Sequence, residues 1–307
     1  MLARVRGSPS PFMELVDPYM ATNAATKPTP VERIVDSRET VIKAGSPWAN
    51  ISPTIFWRFR FLLSRLVRRD LTLRYRQTVL GVVWVVIQPI IGAGALSLVF
   101  SGFGNGGTGE SAFINSFAGY LGWSAFSSVL SKSSGSLLGN QSLVSKVYFP
   151  RLLLPASTVG STMVDMCISI TAFLGVLVLR GVPLSPRLLL VPIVLLLLMT
   201  MGFGFGSAAG ALAVPYRDVS HILPVVMQLL FFLSPVGYAL AAAPARTRKF
   251  VSWSPISGFL EALRWATYSA RDFPTGIFLR ALVVTVVAFV SGVLIFNRLE
   301  RGFSDVI

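Results

Sequence analysis

From about residue 79 to its end, the chain carries long apolar runs separated by short polar or basic segments. A membrane core about 30 Å thick is spanned by roughly 20 helical residues, so runs of that length predict transmembrane helices. Six such runs occur, at residues 79–100, 112–132, 152–179, 188–214, 223–243 and 277–296. The pattern therefore predicts an all-α integral membrane protein with six spans within residues 79–307.

The apolar stretch at 251–270 is interrupted by three residues that a spanning helix rarely carries, Pro255, Glu261 and Arg264. Broken helices occur at membrane depth where surrounding protein buries their backbone. We therefore expect two helices that enter the membrane from its outer side and return, as a re-entrant segment. An amphipathic helix on the membrane surface is the open alternative.

A helical rhythm of apolar and basic residues precedes the first run, in TIFWRFRFLLSRLVRRDLTLRYRQ at 54–77. One face carries Phe59, Leu62, Leu63 and Leu66, and another carries Arg58, Arg65, Arg69 and Arg76. We expect an amphipathic helix within 51–78 that lies in the cytoplasmic interface, with its apolar face in lipid and its arginines at the headgroups. Its candidate functional residues are Arg65, Arg69, Arg74 and Arg76. A generic basic anchor is the alternative interpretation.

The composition excludes an ordinary soluble domain. Hydrophobic residues make up 53% of the chain and charged residues only 13%, and the mean hydropathy is +0.68. Residues 1–50 differ, because they are rich in Pro, Ser, Thr and mixed charges and lack the apolar core of a signal peptide. This segment is predicted to be a disordered cytosolic tail.

The charge balance predicts the orientation of the spans. Lys and Arg number 27 against 13 Asp and Glu, for a net charge of +14. Such an excess suits nucleic acid or an anionic membrane surface, and the hydropathy favours the membrane. With six spans, 19 basic residues fall on one side and eight on the other, and the bias is strongest just before the first span. The positive-inside rule then places both termini in the cytoplasm.

Motifs for catalysis or metal binding are missing from the sequence. No GxxxxGK[ST] loop occurs and none of the five lysines follows a glycine, so ATP and magnesium would have to be bound by a separate partner. One cysteine, Cys167, and one histidine, His221, suggest neither a disulfide nor a zinc site. We therefore expect no cofactor and no metal in this chain, and no catalytic residues.

Glycines recur every four residues within the fourth run, at Gly202, Gly206 and Gly210. A nucleotide-binding loop would need a preceding strand and a following helix in water. The spacing instead indicates close packing of one membrane helix against another.

An ionisable residue, Asp165, lies near the middle of the third run. Such a group usually faces the bundle interior or a wet cavity, where it would contact cargo or protons. The alternative is a packing role, with hydrogen bonds to Ser161, Thr162 or Ser169. Aromatic residues that could line a path or anchor the protein at the interface are Trp84, Tyr120, Trp123, Phe126, Trp253, Trp265 and Tyr268.

The run RDLTLRYRQTVLGVVWVVIQPI at 69–90 resembles the entry to the first span in permeases of ABC polysaccharide exporters (ABC-2 type), which move O-antigen, teichoic acid or capsule chains. FFLSPVGY at 231–238 is similar to that family's fifth span, and RGFSDVI to its C-terminal tail. The resemblance covers about residues 40–307. It implies an export permease in the bacterial inner or plasma membrane, paired with a second copy of itself and with two ATP-binding-cassette ATPase subunits. The implied cargo is a lipid-linked glycan.

The resemblance also implies roles for three segments. SLVSKVYFPRLLLP at 142–155 and YRDV at 216–219 look like the cytoplasmic segments that couple to the ATPase. The implied coupling residues are Lys146, Tyr148, Phe149, Arg151, Arg217 and Asp218. WSPISGFLEALRW at 253–265 is similar to the family's re-entrant gate, with Ser254 where the family usually has Asn. The channel and gate candidates are thus Trp84, Tyr120, Trp123, Phe126, Asp165, Pro255, Glu261, Arg264 and Trp265.

Three other functions remain open. An exporter of the same superfamily for a drug or simple lipid would share the architecture. A membrane glycosyltransferase or acyltransferase is disfavoured because no Asp-x-Asp pair occurs and His221 has only Asp218 nearby. An ion channel is disfavoured because no selectivity sequence or charged ring is visible.

Overall fold

A computed structural model describes residues 57–76, 81, 83–101, 110–146, 149–268 and 272–300. Within these residues the regular structure is entirely helical, without a strand. The predicted N-terminal tail and the C-terminal RGFSDVI lie outside the described residues.

Ten α-helices follow one another along the described chain. They are α1 Arg60–Tyr75, α2 Val83–Ser101, α3 Glu110–Gly135, α4 Gln141–Lys146, α5 Leu153–Leu179, α6 Leu190–Ala213, α7 Asp218–Leu233, α8 Ala245–Trp253, α9 Ser257–Tyr268 and α10 Thr275–Leu299. Short 3₁₀ turns lie at Leu138–Asn140, Pro186–Leu189 and Leu240–Ala242. Among the described helices, α2, α5, α6 with its preceding turn, and α10 are long and apolar enough to cross a membrane.

The fifth predicted span, 223–243, is not one continuous helix. Helix α7 begins at Asp218 and ends at Leu233, because Pro235 follows and forces Ser234 into an extended conformation. Its 16 residues rise about 24 Å, less than the roughly 30 Å of a hydrocarbon core. The chain continues through residues 234–244 without an α-helix.

Helix α6 lies at the centre of the bundle, with α3 on one face and α10 on another. A Cβ on Gly202 would lie 2.6 Å from the carbonyl oxygen of Phe126, and one on Gly206 would lie 2.8 Å from that of Leu130. These backbones approach too closely for any side chain but hydrogen. The prediction of small-residue helix packing is confirmed.

Helix α1 packs along α5. Its apolar face, which was predicted to lie in lipid, contacts protein instead. Leu66 is buried, and Phe59, Leu62 and Leu63 pack against the core. A Cβ on Gly160 of α5 would meet the side chain of Val67 at 2.7 Å. The periodicity identified the apolar face correctly, but this face is covered by protein. The exposed apolar residues of the segment include Trp57, Phe61 and Leu73.

Candidate functional site

A cluster of charged side chains joins α1, α3 and α5 around Asp165. The carboxylate accepts hydrogen bonds from the guanidinium of Arg74 and from the hydroxyl of Tyr75. The ammonium of Lys132 lies 3.2 Å from Asp165 Oδ2 and 3.1 Å from the hydroxyl oxygen of Thr162. Asp165 is buried, with only 4% of its surface exposed. The partners of its carboxylate therefore come from other helices. Among the described contacts, the carboxylate accepts no hydrogen bond from Ser161, Thr162 or Ser169, the neighbours on its own helix that the alternative named.

A second ion pair extends the cluster along α1. Arg69 donates to Asp70 Oδ1 at 3.0 Å through its terminal nitrogen, and Ser157 of α5 donates to Asp70 Oδ2 at 3.2 Å. The described cluster thus contains three cations and two carboxylates. It keeps one net positive charge.

Tyr75 is a neutral donor in this cluster. Burial, followed by the hydrogen bond to Asp165, raises the pKa of its hydroxyl to about 12. The phenol therefore remains protonated at neutral pH and can donate to an anion.

Two cavities meet at the cluster, and Arg74 lines both of them. The first, about 530 Å³, is bordered by the charged side chains of Asp70, Arg74 and Lys132 and by the polar side chains of Ser131, Asn140 and Ser157. The second, about 450 Å³, lies between α2, α3 and α5 and is bordered by Arg74 and Asp165. It also has aromatic and polar walls, formed by Trp84, Gln88, Tyr120, Trp123, Ser124, Ser127, Ser128 and Ser169. We call these the basic cavity and the aromatic cavity.

The aromatic residues predicted to line a path differ in exposure. Trp84 is 44% exposed in the aromatic cavity. Tyr120 is half-buried above Gly92, where a Cβ would lie 2.5 Å from the phenol ring. Trp123 borders the cavity but is mostly buried, with its ring 5.2 Å from that of Phe231. Phe126 is fully buried, so it is a core residue and not part of a path open to cargo.

The segment predicted to be re-entrant contains α8 and α9, which are separated at Ser254–Ile256. Helix α9 packs against α3, α6 and α10, and Phe259, Leu260 and Leu263 are at most 1% exposed. An amphipathic helix on the membrane surface leaves one face open, whereas α9 is buried on several sides. Ser254 bonds to Ser234 at 2.7 Å, which ties the break to the end of α7.

Arg264 of α9 supports the non-helical chain that follows α7. Its guanidinium is 4% exposed and donates to the carbonyl oxygens of Pro235 at 2.6 Å, Val236 at 2.7 Å and Asn115 at 3.2 Å. It also pairs with Glu261 at 2.9 Å. Because buried backbone carbonyls need donors, this arginine replaces the hydrogen bonds that a continued helix would have supplied.

Glu261 and Gly119 complete this arrangement. Glu261 accepts from the backbone N–H of Leu240 at 2.9 Å. A Cβ on Gly119 would lie 2.0 Å from the carbonyl oxygen of Val236 and 2.4 Å from the Arg264 guanidinium. The chain after α7 is therefore fixed from α3 and from α9 together.

Trp265 and Pro255 lie apart from both cavities. The Trp265 ring meets that of Phe273 edge to face at 5.1 Å, and the guanidinium of Arg187 lies 4.6 Å from its centroid. Pro255 is partly buried at the break between α8 and α9. The side chain of Tyr268 lies outside the described residues, and Trp253 is exposed.

The predicted coupling residues fall into two groups. Phe149 is buried, and the Arg151 guanidinium donates to the Glu300 backbone oxygen at 2.7 Å, so these side chains contact their own chain. Burial raises the pKa of the Glu300 carboxyl, which accepts from the Arg151 backbone N–H at 3.1 Å. Arg217 and Asp218 are exposed at the start of α7. The Lys146 side chain and Tyr148 lie outside the described residues.

Of the interface arginines, Arg65 and Arg76 are exposed, whereas Arg69 and Arg74 belong to the charged cluster. Sequence reasoning missed Lys132 and Tyr75 as site residues. A lysine at the end of a predicted span was the available signal for Lys132, but nothing local identified its partner. No cluster of three metal-ligating side chains occurs among the described residues.

The chain is similar to known membrane transport proteins. Residues 62–268 match the family model of the ABC-2 type transporters. The O-antigen export system permease protein RfbA of Myxococcus xanthus is 26% identical over 252 residues, covering 81% of this chain and 96% of that protein. Two proteins of the same description from Klebsiella pneumoniae are each 22% identical, over 80% of this chain and 95% of their own length.

Proposed function

This chain belongs to the ABC-2 type transporter family, and we propose that it is the membrane permease of an ATP-driven exporter of lipid-linked polysaccharide. The observation that carries the proposal is the match to three O-antigen export permeases along nearly their whole length. The chain is a multi-pass membrane protein, and we place it in the bacterial inner or plasma membrane.

The energy for export comes from a separate subunit in this proposal. The sequence has no phosphate-binding loop, so two ATPase subunits bind the ATP and magnesium. Two copies of this chain form the channel above them. Exposed Arg217 and Asp218 are the candidate contacts with the ATPase. Phe149 and Arg151 would act indirectly, by holding the coupling segment against the chain's own core and Glu300.

Six spans with both termini in the cytoplasm remain our topology. Helix α3 is long enough to cross, because its 26 residues rise about 39 Å. Helix α7 alone is too short, and the segment after it completes the crossing with Arg264 as its hydrogen-bond donor. This support lets a broken span exist at membrane depth. The re-entrant α8 and α9 form the outer gate.

The walls of the aromatic cavity suit a sugar chain. Aromatic rings stack on the apolar faces of sugars, and serine hydroxyls exchange hydrogen bonds with sugar hydroxyls. Trp84, Tyr120 and the serines at 124, 127 and 128 offer both kinds of contact. Many weak contacts allow a polymer to slide, whereas a drug would be better served by one enclosed apolar pocket.

Depletion of the chain in its bacterial host tests the proposal. We expect surface polysaccharide to disappear and lipid-linked polysaccharide to accumulate inside the cell, with both effects reversed by a plasmid copy. Normal surface polysaccharide together with increased sensitivity to a drug would favour the drug-exporter alternative.

A further inference from the structure

The charged cluster has the donor geometry of an anion site. Three donors from two helices converge on the two oxygens of Asp165: the Arg74 guanidinium, the Tyr75 hydroxyl and the Lys132 ammonium. A phosphate group offers the same kind of oxygen acceptors, with more charge. Guanidinium and ammonium groups are the usual protein ligands of phosphates.

The two cations are also accessible from the cavities. The side chains of Arg74 and Lys132 are 41% and 31% exposed, whereas that of Asp165 is 6% exposed. Among the described contacts, Arg74 meets Asp165 through only one of its terminal nitrogens. The basic cavity is bordered by Arg74 and Lys132 and also by Asp70, but not by Asp165. An anion arriving from this cavity would therefore reach the two cations before it reached the Asp165 carboxylate.

The charge balance favours an added anion. Arg69, Arg74 and Lys132 face Asp70 and Asp165, and Arg69 is engaged by Asp70 at 3.0 Å. Arg74 and Lys132 thus share one carboxylate. The hydroxyl group of Ser131, which also borders the basic cavity, can donate to a phosphate oxygen.

We propose that Arg74 and Lys132 bind the phosphate or diphosphate group that joins the lipid carrier to the sugar chain, and that Asp165 holds the two cations in place when no cargo is bound. This inference rests on the proposed function. The headgroup sits at the junction of the two cavities, the sugar chain extends into the aromatic cavity, and the lipid remains outside the bundle. Entry of the phosphate weakens the link between α1 and α5 and thereby reports that cargo is present.

The test uses the full chain in nanodiscs of phosphatidylcholine, with bound lipid counted by native mass spectrometry. The probes are a polyprenyl diphosphate, the same polyprenol without phosphates, and inorganic diphosphate as competitor. We expect retention of the polyprenyl diphosphate and not of the polyprenol. Retention of both lipids to the same extent, or binding of inorganic diphosphate alone, would overturn a headgroup site.

Variants distinguish binding at this site from nonspecific attraction of the lipid to basic residues. Arg74→Gln and Lys132→Gln should each weaken binding of the polyprenyl diphosphate by about tenfold or more, because each removes a charged hydrogen bond. Arg74→Lys should retain part of the affinity. The matched control is Arg68→Gln, an exposed arginine on α1 that borders neither cavity, and it should bind like the wild type.

Asp165→Asn distinguishes a binding site from a purely structural lock. If Asp165 competes with phosphate, its neutralisation should strengthen binding severalfold. If the cluster serves only to hold α1 against α5, binding should be weakened or unchanged, which would refute the inference. Normal export by Arg74→Gln and Lys132→Gln would also refute it without touching the permease assignment. If the chain binds the headgroup through these residues but cells export polysaccharide normally without the chain, the proposed function is rejected and the binding site stands.

Discussion

The guanidinium of Arg264 donates to the carbonyl oxygen of Pro235 at 2.6 Å, directly after helix α7 has ended. A proline that ends a helix at membrane depth leaves carbonyls without their usual partners. Arg264 supplies donors to two successive carbonyls and is itself neutralised by Glu261. This link explains why a charged residue is buried in α9.

We predict that Arg264→Ala destabilises the protein by about 3–5 kcal/mol, because it removes the cation that pairs with Glu261 and leaves buried carbonyls without a donor. Thermal unfolding in detergent, followed by size-exclusion chromatography, measures the effect. The control is Arg246→Ala, which removes an exposed arginine of α8. Equal unfolding temperatures for the two variants would contradict the role given to Arg264.

A second prediction concerns the contact between α3 and α6. Gly206→Leu should destabilise the bundle by about 1–3 kcal/mol, because its side chain would meet the α3 backbone at Leu130. Gly175→Leu places the same side chain on α5 where a Cβ would meet nothing within 4 Å. Its unfolding temperature should stay near that of the wild type, and a loss as large as that of Gly206→Leu would count against close packing as the cause.

The proposed topology is tested by single cysteines in a Cys167→Ser background. Cysteines at Ser142 and Ser220 should resist an impermeant thiol reagent in intact cells and react after permeabilisation, because both positions are expected in the cytoplasm. A cysteine at Asn105, in the expected first outer loop, should react in intact cells. Labelling at Ser142 before permeabilisation would exclude six spans with the N-terminus inside.

A fourth prediction concerns the aromatic cavity. Trp84→Ala should lower surface polysaccharide severalfold at matched protein levels, because it removes a stacking surface from the path. The control Trp57→Ala removes an equally large exposed ring outside both cavities. Unchanged surface polysaccharide in the Trp84 variant would remove the aromatic path from the proposed mechanism.

We also expect Trp123→Ala and Trp265→Ala to lower export. Trp123 is 9% exposed and packs on Phe231, and replacement of a buried tryptophan by alanine costs about 3–5 kcal/mol. Trp265 packs on Phe273. Reduced export in either variant would count for the path only if assembly and basal ATP hydrolysis were preserved.

The sequence predicted those features that depend on neighbours along the chain. The four-residue spacing of Gly202, Gly206 and Gly210 indicated one face of α6, since residues four apart share a face. The polar interruptions at Pro255, Glu261 and Arg264 indicated that 251–270 is not a plain span. Both inferences use only local periodicity and hydropathy.

Features that depend on distant pairing could not be predicted in this way. Arg74 and Asp165 are 91 residues apart, and no local pattern indicates that α1 lies against α5. The apolar face of α1 was predicted to lie in lipid for the same reason, because hydropathy does not distinguish burial by lipid from burial by protein. The early end of α7 was missed because residues 234–243 are apolar although Pro235 stops the helix.

The central claim is tested most directly in inside-out membrane vesicles that contain this chain and its ATPase partner, supplied with labelled lipid-linked polysaccharide. Export in this geometry moves the sugar chain into the vesicle, where an added glycosidase cannot reach it. We predict protection that requires ATP and both proteins, and that is lost when the ATPase is inactivated. Polysaccharide that stays fully digestible with ATP and both proteins present would contradict the assignment of this chain as the export permease.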